Sequence, residues 1–258
     1  MALITFMSDF GKEDHYVAAV KAKIISINPN INIVDISHNI RPFSLSHGAY
    51  VLRSIFRDFP KGTVHLAAID TYTRDWGALA MKIEEHFFVG PDNGIFSLIS
   101  SQKPTVVVDL NKLKPVEFAF PAKEIYASVA ANLASGKNIH DLGPIRKEWT
   151  QLLDRQIKAN KALISGNVIR VDNYGNLITN IPKVEFENII ALNKSEDFEI
   201  KLGRENVNRI HNSYHSVEPG DCFCLFNSFG LLEVGINSGN ASELLGLSFD
   251  SPISIHFN

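Results

Sequence analysis

The chain has 258 residues, 45% hydrophobic and 21% charged, with a formal net charge of −3 at pH 7. That composition is ordinary for globular proteins and excludes the disordered, collagen-like and coiled-coil classes, while the acidic balance offers no electrostatic footprint for nucleic acid. No apolar run approaches the ~20 residues that span a bilayer, and Met1-Ala2-Leu3-Ile4-Thr5 lacks a signal-peptide pattern, so a cytoplasmic protein that engages no membrane is expected.

Leu3-Ile4-Thr5-Phe6-Met7 is a short apolar run ending in Ser8-Asp9-Phe10-Gly11, which predicts a strand followed by a polar loop. From Tyr16 the period becomes helical, with Val17, Val20, Ile24 and Ile27 recurring and Asn28-Pro29 as the stop. Ile31 to Ile36 reads as a β-branched strand closed by Ser37-His38, and Leu45 to Phe56 as a second helix. Val64 to Ile69, Leu79 to Ile83 and Phe87-Phe88-Val89 read as further strands, and Tyr126 to Leu133 as a last helix before Ser135-Gly136. Strands separated by helices of about ten residues argue for an α/β N-terminal domain with a largely parallel central sheet.

After Lys158-Ala159-Asn160 the pattern changes to short strands, such as Gly166 to Val171, Phe198 to Leu202, Cys222 to Phe226 and Ile253 to Phe257. Turn signals at Tyr174-Gly175-Asn176, Pro219-Gly220-Asp221 and Ser228-Phe229-Gly230 separate them, the pattern of a small all-β sandwich or barrel. The expected division is an α/β domain over residues 1–158 and an all-β domain over 163–258. Cys222 and Cys224, the only cysteines, lie two apart as on one face of a strand and cannot form a disulfide framework.

Ligands of α/β sheets gather outside the carboxyl ends of the strands, which makes four polar loops candidates. Asp9, in Ser8-Asp9-Phe10-Gly11, either accepts hydrogen bonds from vicinal hydroxyls or caps the following helix. Asp35-Ile36-Ser37-His38 offers two metal-ligand types, but a strand would turn them to opposite faces with no third ligand nearby, and a hydrogen-bonded structural pair is the simpler role. Asp70-Thr71-Tyr72-Thr73-Arg74-Asp75 sets a carboxylate near an arginine, to orient water or hold a charged substrate if it is more than a solvated loop. Gly90-Pro91-Asp92-Asn93-Gly94 is rich in turn residues whose backbone is free to face a ligand. The chain has no G-x-G-x-x-G, Walker A, H-E-x-x-H or G-x-S-x-G motif, which argues against hydride transfer, nucleotide triphosphate hydrolysis, zincin and α/β-hydrolase chemistry.

Read in order, these loops carry a family pattern. Its matches run from Phe6-Met7-Ser8-Asp9-Phe10-Gly11 through Asp14-His15-Tyr16-Val17, Ile33-Val34-Asp35-Ile36-Ser37-His38, Phe59-Pro60-Lys61-Gly62 and Phe88-Val89-Gly90-Pro91-Asp92-Asn93-Gly94. They continue in Val171-Asp172-Asn173-Tyr174-Gly175-Asn176, Asn227-Ser228-Phe229-Gly230 and Asn237-Ser238-Gly239-Asn240-Ala241. The chain resembles, over nearly its whole length, the S-adenosyl-L-methionine hydroxide adenosyltransferases and the related fluorinases and chlorinases. The resemblance implies an α/β domain followed by a β-barrel, a homotrimer with sites between subunits, and attack of water or halide on C5′ of S-adenosylmethionine. It implies S-adenosylmethionine as substrate and no other cofactor or metal.

By position, the resemblance assigns Asp9 to the ribose hydroxyls and Phe43 to the adenosine pocket, Asp14 and Asp172 to the methionine end, and Asn176 to the adenine edge. Asn93 and Asn237 become further lining candidates, and Asp70 falls where hydroxide-using members carry an aspartate that positions water. The departures fall on the reacting centre. Where those relatives have paired arginines this chain has Trp76-Gly77, and Arg74 is the nearby cation. Pro121, in Phe120-Pro121-Ala122-Lys123-Glu124, stands where the family has its histidine, and Ala122 where halide users have a serine. His15 and His38 are alternative sources of an imidazole. The expected function is hydrolysis of S-adenosylmethionine to adenosine and methionine by an incomplete catalytic set, with a non-catalytic or differently catalytic adenosine binder as the alternative.

Overall fold

A computed structural model of the chain describes residues 2–71, 77–111 and 119–258. The chain divides into two compact units, Met1–Leu153 and Asp154–Asn258. In the first, strands β1 (Leu3–Ser8), β2 (Asn32–Ser37), β3 (Val64–Ala68), β4 (Ala78–Ile83), β5 (His86–Pro91) and β6 (Val106–Asp109) form a six-stranded sheet of order β2-β1-β3-β5-β4-β6. The pairs β1–β2, β1–β3 and β3–β5 are parallel. β4 runs antiparallel to β5 and β6 because only Glu84 and Glu85 separate β4 from β5, a two-residue hairpin in which Glu84 takes the left-handed φ of 54°.

Helices α1 (Tyr16–Ile27), α2 (Leu45–Ile55) and α3 (Ala127–Ala134) cover the sheet. Along β1, Ile4 and Phe6 enter the core shared with Val20 and Ile24 of α1 and Val129 of α3. Met7 enters the opposite core with Ala49 and Leu52 of α2 and Phe88 of β5. A strand buried on both faces reads as an unbroken apolar run, which is how these strands show in the sequence. The parallel strands β1, β2, β3 and β5 point one way, so the loops after them emerge at one edge of the sheet.

The second unit consists mainly of antiparallel strands: β7 (Lys158–Asn160), β8 (Leu163–Val171), β9 (Leu177–Pro182), β10 (Phe198–Leu202), β11 (Glu205–Val207), β12 (Cys222–Phe226), β13 (Leu231–Ile236) and β14 (Pro252–Phe257). Seven follow the order β11-β10-β14-β8-β9-β13-β12, and β7 pairs with β8. His211 N–H, just past β11, donates to Cys224 O of β12 at 2.7 Å and nearly closes the sheet into a barrel. Helix α4 (Lys183–Asn193), absent from the sequence reading, packs Phe186 and Ile189 onto the barrel core, and the short α5 (Ala241–Leu245) follows β13. No helix among the described residues is long and apolar enough to cross a membrane.

Candidate functional site

In the first unit the loops beyond β1, β2 and β3 are joined through one carboxylate. Asp9 Oδ2 accepts the backbone N–H of Phe43 at 2.9 Å and of Asp70 at 3.1 Å. Both residues are left-handed, with φ of 62° and 45°, a conformation that costs an ordinary L residue about 1–2 kcal/mol. From the β5 side, Asn93 Nδ2 donates to Ile69 O at 2.9 Å and to Asp70 O at 3.1 Å. Asp70 is thus held by its N–H on one side and its carbonyl on the other, which leaves its half-buried side chain to be aimed by the backbone. Burial, and then the Asp9 charge, push the Asp70 carboxyl above the usual carboxylate range.

Asp9, Phe43, Asp70 and Asn93 therefore form one connected group. Phe43 is 73% exposed, an apolar residue whose backbone is bonded to Asp9. Asp14 stands exposed in the loop before α1. Arg74 and Trp76 lie outside the described residues. Pro121 is buried at the start of the π-helical turn Ala122–Tyr126, and the neighbouring Phe120 packs on Phe10 and Tyr16 at ring distances of 5.5 Å. In the Gly90–Gly94 loop, Asp92 is committed to structure: Oδ1 accepts from Thr150 N–H at 2.8 Å and Oδ2 lies 2.9 Å from Arg146 Nη1.

The expectation that β2 would separate Asp35 from His38 is corrected. β2 ends at Ser37, and His38 turns back so that Nε2 lies 3.1 Å from Asp35 Oδ1, close but poorly aligned for a hydrogen bond. Lys21 Nζ donates to Asp35 Oδ2 at 2.5 Å, and His38 Nδ1 lies 2.7 Å from Ser8 Oγ. Burial lowers the His38 pKa against the opposing pull of Asp35, so the ring is neutral at pH 7. With the proton on Nε2, Ser8 Oγ–H donates to Nδ1. Burial alone would raise Asp35, but Lys21 and His38 outweigh it and hold the carboxyl low. Asp35 and His38 thus form a structural pair in close contact, each hydrogen-bonded to another residue, Lys21 and Ser8, and the Ser8 bond supports the loop carrying Asp9. Among the described residues no group of three or more His, Cys, Asp or Glu could hold a metal ion.

The second unit contains an open cleft of about 690 Å³ whose lining includes Asp172, Asn176 and Asn237, the three candidates of this unit. Tyr174, Tyr214 and Phe223 add aromatic surface, and Ser238 a hydroxyl. Asp172 Oδ1 accepts Tyr174 N–H at 2.8 Å and Asn176 N–H at 2.9 Å, while Oδ2 accepts Asn176 Nδ2 at 3.1 Å. The carboxylate thus builds the turn that presents Asn176. Gly175 makes that turn at φ of 86°, and a Cβ there would lie 2.0 Å from Asn240 Oδ1. Asn237 Nδ2 donates to Val217 O at 2.7 Å and pins the opposite wall. Phe223 and Asn176 pack over Gly235, where a Cβ would meet them at 2.1 and 2.6 Å. Amide edges, hydroxyls and aromatic faces around a space of this size suit a flat, hydrogen-bonding ring.

Sequence reasoning missed Tyr214, Phe223 and Glu233. The available signal was Glu233 itself, a charge inside the apolar run Leu231-Leu232-Glu233-Val234-Gly235-Ile236.

Comparison with known proteins agrees with both halves. The model of the SAM hydroxide adenosyltransferase N-terminal domain matches residues 4–143, and that of the C-terminal domain matches residues 166–254. The chain is 32% identical to the (R)-S-adenosyl-L-methionine hydrolase of Methanocaldococcus jannaschii over 98% of this chain and 95% of that protein. It is 28% identical to a fluorinase of an Actinoplanes species over 72% of this chain and 73% of that one. Among solved structures, an uncharacterized conserved protein from Thermotoga maritima superposes with a TM-score of 0.86 at 30% identity, covering 98% of this chain and 99% of its own. With both domain models matched in order along a fold of the corresponding two units, the chain belongs to the SAM hydroxide adenosyltransferase family.

Proposed function

We propose that the protein hydrolyses S-adenosyl-L-methionine: a water oxygen bonds to C5′, the C5′–S bond breaks with its electron pair leaving on sulfur, and adenosine, methionine and a proton are released. The sulfonium is already a good leaving group, so the protein's task is to align the water and take its proton. The carrying observation is Asp70, fixed by Asp9 and Asn93 at the carboxyl edge of the parallel strands, with a carboxyl that burial and the Asp9 charge raise above the usual carboxylate range. Family membership and hydrolase relatives matched end to end support the choice of substrate.

In this reading Asp70 orients and deprotonates the water, Arg74 supplies the nearby positive charge, and Asp9, which already anchors the loops, turns its other oxygen to the ribose. Phe43 covers the nucleoside, Asn176 reads the adenine edge, and Asp14 and Asp172 face the methionine ammonium. Asn93 and Asn237 act by holding the walls. The reaction needs no metal or cofactor, and the protein works in the cytoplasm as a homotrimer with sites shared between subunits. Release of adenosine from S-adenosylmethionine by purified protein tests this. Asp70→Asn should abolish release while retaining binding, and release that survives the substitution would remove Asp70 from the reaction.

One observation favours a second reading, an adenosine binder without turnover. Pro121 occupies the family's histidine position and carries no transferable proton. Binding of adenosine or S-adenosylmethionine in calorimetry, without product, would select it. Sedimentation showing a monomer would remove the shared site.

A further inference from the structure

β13 alternates as a barrel strand should. Leu232 and Val234 enter the core, whereas Gly235 lies beneath Phe223 and Asn176, two residues that line the cleft. Glu233 shares the face of Gly235, yet it is only 4% exposed. A carboxyl in such a place is costly unless its oxygens are matched by donors, and an apolar residue would fill the position without that cost. Both oxygens are matched, each from a different loop. Tyr214 Oη–H donates to Oε1 at 3.1 Å and Asn227 Nδ2 donates to Oε2 at 3.1 Å. Asn227 Oδ1 meanwhile accepts Phe229 N–H and Leu231 N–H at 3.0 and 3.2 Å, so this amide organises the β12–β13 turn as well.

The Tyr214 bond matters more for the cleft. Residues 208–221 connect β11 to β12 without a strand or helix of their own and supply one wall. They are fastened at the start by His211 to Cys224 and at the end by Asn237 to Val217. Between those points Tyr214 anchors the segment to the barrel by its bond to Glu233. Its ring meets Phe223 edge to face, centroids 5.4 Å apart at 88°. Moving Tyr214 would therefore shift the aromatic surface that a planar ligand meets.

We propose that Glu233 is a positioning residue for the cleft: by accepting from Tyr214 and Asn227 it fixes the 208–221 wall and the Tyr214–Phe223 pair against which the ligand's ring stacks. The inference rests on the reading of the cleft as a nucleoside site. It assigns Glu233 no contact with the ligand.

The test is adenosine binding by calorimetry on the full-length protein, with Tyr214→Phe placed in the native and in the Glu233→Leu backgrounds. Tyr214→Phe should weaken binding about tenfold, the worth of one hydrogen bond, and should cause no further loss once Glu233 is leucine. Glu233→Gln should bind within about threefold of the native protein, because its amide can accept from Asn227 and donate to the Tyr214 oxygen. In turnover the loss should appear in KM with kcat nearly unchanged. Equal losses from Tyr214→Phe in both backgrounds would mean that the hydroxyl contacts the ligand itself and would overturn the proposal, as would native affinity in folded Glu233→Leu. If Glu233→Leu does not fold, hydrogen exchange at residues 213–217 decides: protection unchanged in Tyr214→Phe overturns the inference. A native protein that binds neither adenosine nor S-adenosylmethionine defeats the nucleoside reading and this inference with it, whereas native binding with insensitive variants defeats the inference alone.

Discussion

Asp9 is the residue whose replacement most directly tests how the first half of the site is built. Its Oδ2 receives two backbone N–H groups, from Phe43 and Asp70, and alanine would leave both without that acceptor. Hydrogen bonds to a charged acceptor contribute about 1.5–3 kcal/mol each, and partial exposure reduces the pair to about 4 kcal/mol. Against this, Phe43 and Asp70 are freed from left-handed backbone, and relaxation returns about 1 kcal/mol at each. The net loss is therefore about 2 kcal/mol, a fall of about 4–8 °C in the melting temperature of a unit this size. Asp9→Asn retains a carbonyl oxygen in place and loses only charge assistance, so its fall should be about 2 °C. Thermal unfolding monitored by circular dichroism measures both. Because the Asp9 charge helps to raise the Asp70 carboxyl, Asp9→Asn should also move the acid limb of adenosine release to lower pH. Asp9→Ala melting within about 1 °C of the native protein would refute the claim that this carboxylate holds the two loops.

Three further outcomes are expected. Activity should rise with pH through an Asp70 pKa above the usual carboxylate range, since the base must be ionised, and an acid limb at or below the ordinary 3.8 would exclude Asp70 as that base. His65 bonds Thr5 Oγ1 at 2.7 Å and His86 at 3.1 Å, and burial takes its pKa from 6.5 to about 3. Its contribution to stability is thus complete above pH 6.5 and is lost as pH falls toward 3. Between pH 7 and 5 this removes about 2 kcal/mol in urea unfolding, a slope that His65→Gln should flatten. Gly235→Ala places a methyl against Phe223 and Asn176 and should destabilise by about 1–3 kcal/mol with weaker adenosine binding; native affinity would show that the cleft floor does not set the fit.

The α/β half was legible because strands buried on both faces and helices with one apolar stripe carry different periods. Leu3–Ser8 and Tyr16–Ile27 are cases where the local pattern and the tertiary environment agree. The reversal of β4 was not legible, since apolar content is the same in either direction and the information lies in a two-residue turn whose Glu84 is left-handed without being glycine. α4 was missed because only Phe186 and Ile189 of its 11 residues are buried, too narrow a stripe to stand out among strands. For the site, residue type at the strand ends identified Asp9 and Asp70, and the family resemblance added Asn93, but neither could show that they bond to one another's backbone. Asp35 and His38 misled the strand-based reasoning because the strand ends between them.

The strongest structural argument that this half-site is functional lies in where the backbone is unfavourable. Six non-glycine residues have positive φ among the described residues, and two of them, Phe43 and Asp70, are site candidates on sequence grounds. Glycine or asparagine would relieve both positions if only a turn were required. A phenylalanine ring exposed to solvent and an aspartate with a raised carboxyl are instead kept there, each fastened to the same oxygen of Asp9. Strain held by a dedicated anchor is expected where side-chain direction matters more than local stability. Among the described residues the bonds that fix Asp70 come from Asp9 and Asn93 and do not pass through Pro121. The placement of the acid is therefore separable from residue 121. Asp70→Gly makes that separation measurable: it should raise the melting temperature by about 1 kcal/mol of relieved strain, or about 2–4 °C, while eliminating adenosine release. Loss of stability on that substitution would mean that the aspartate is retained for the fold.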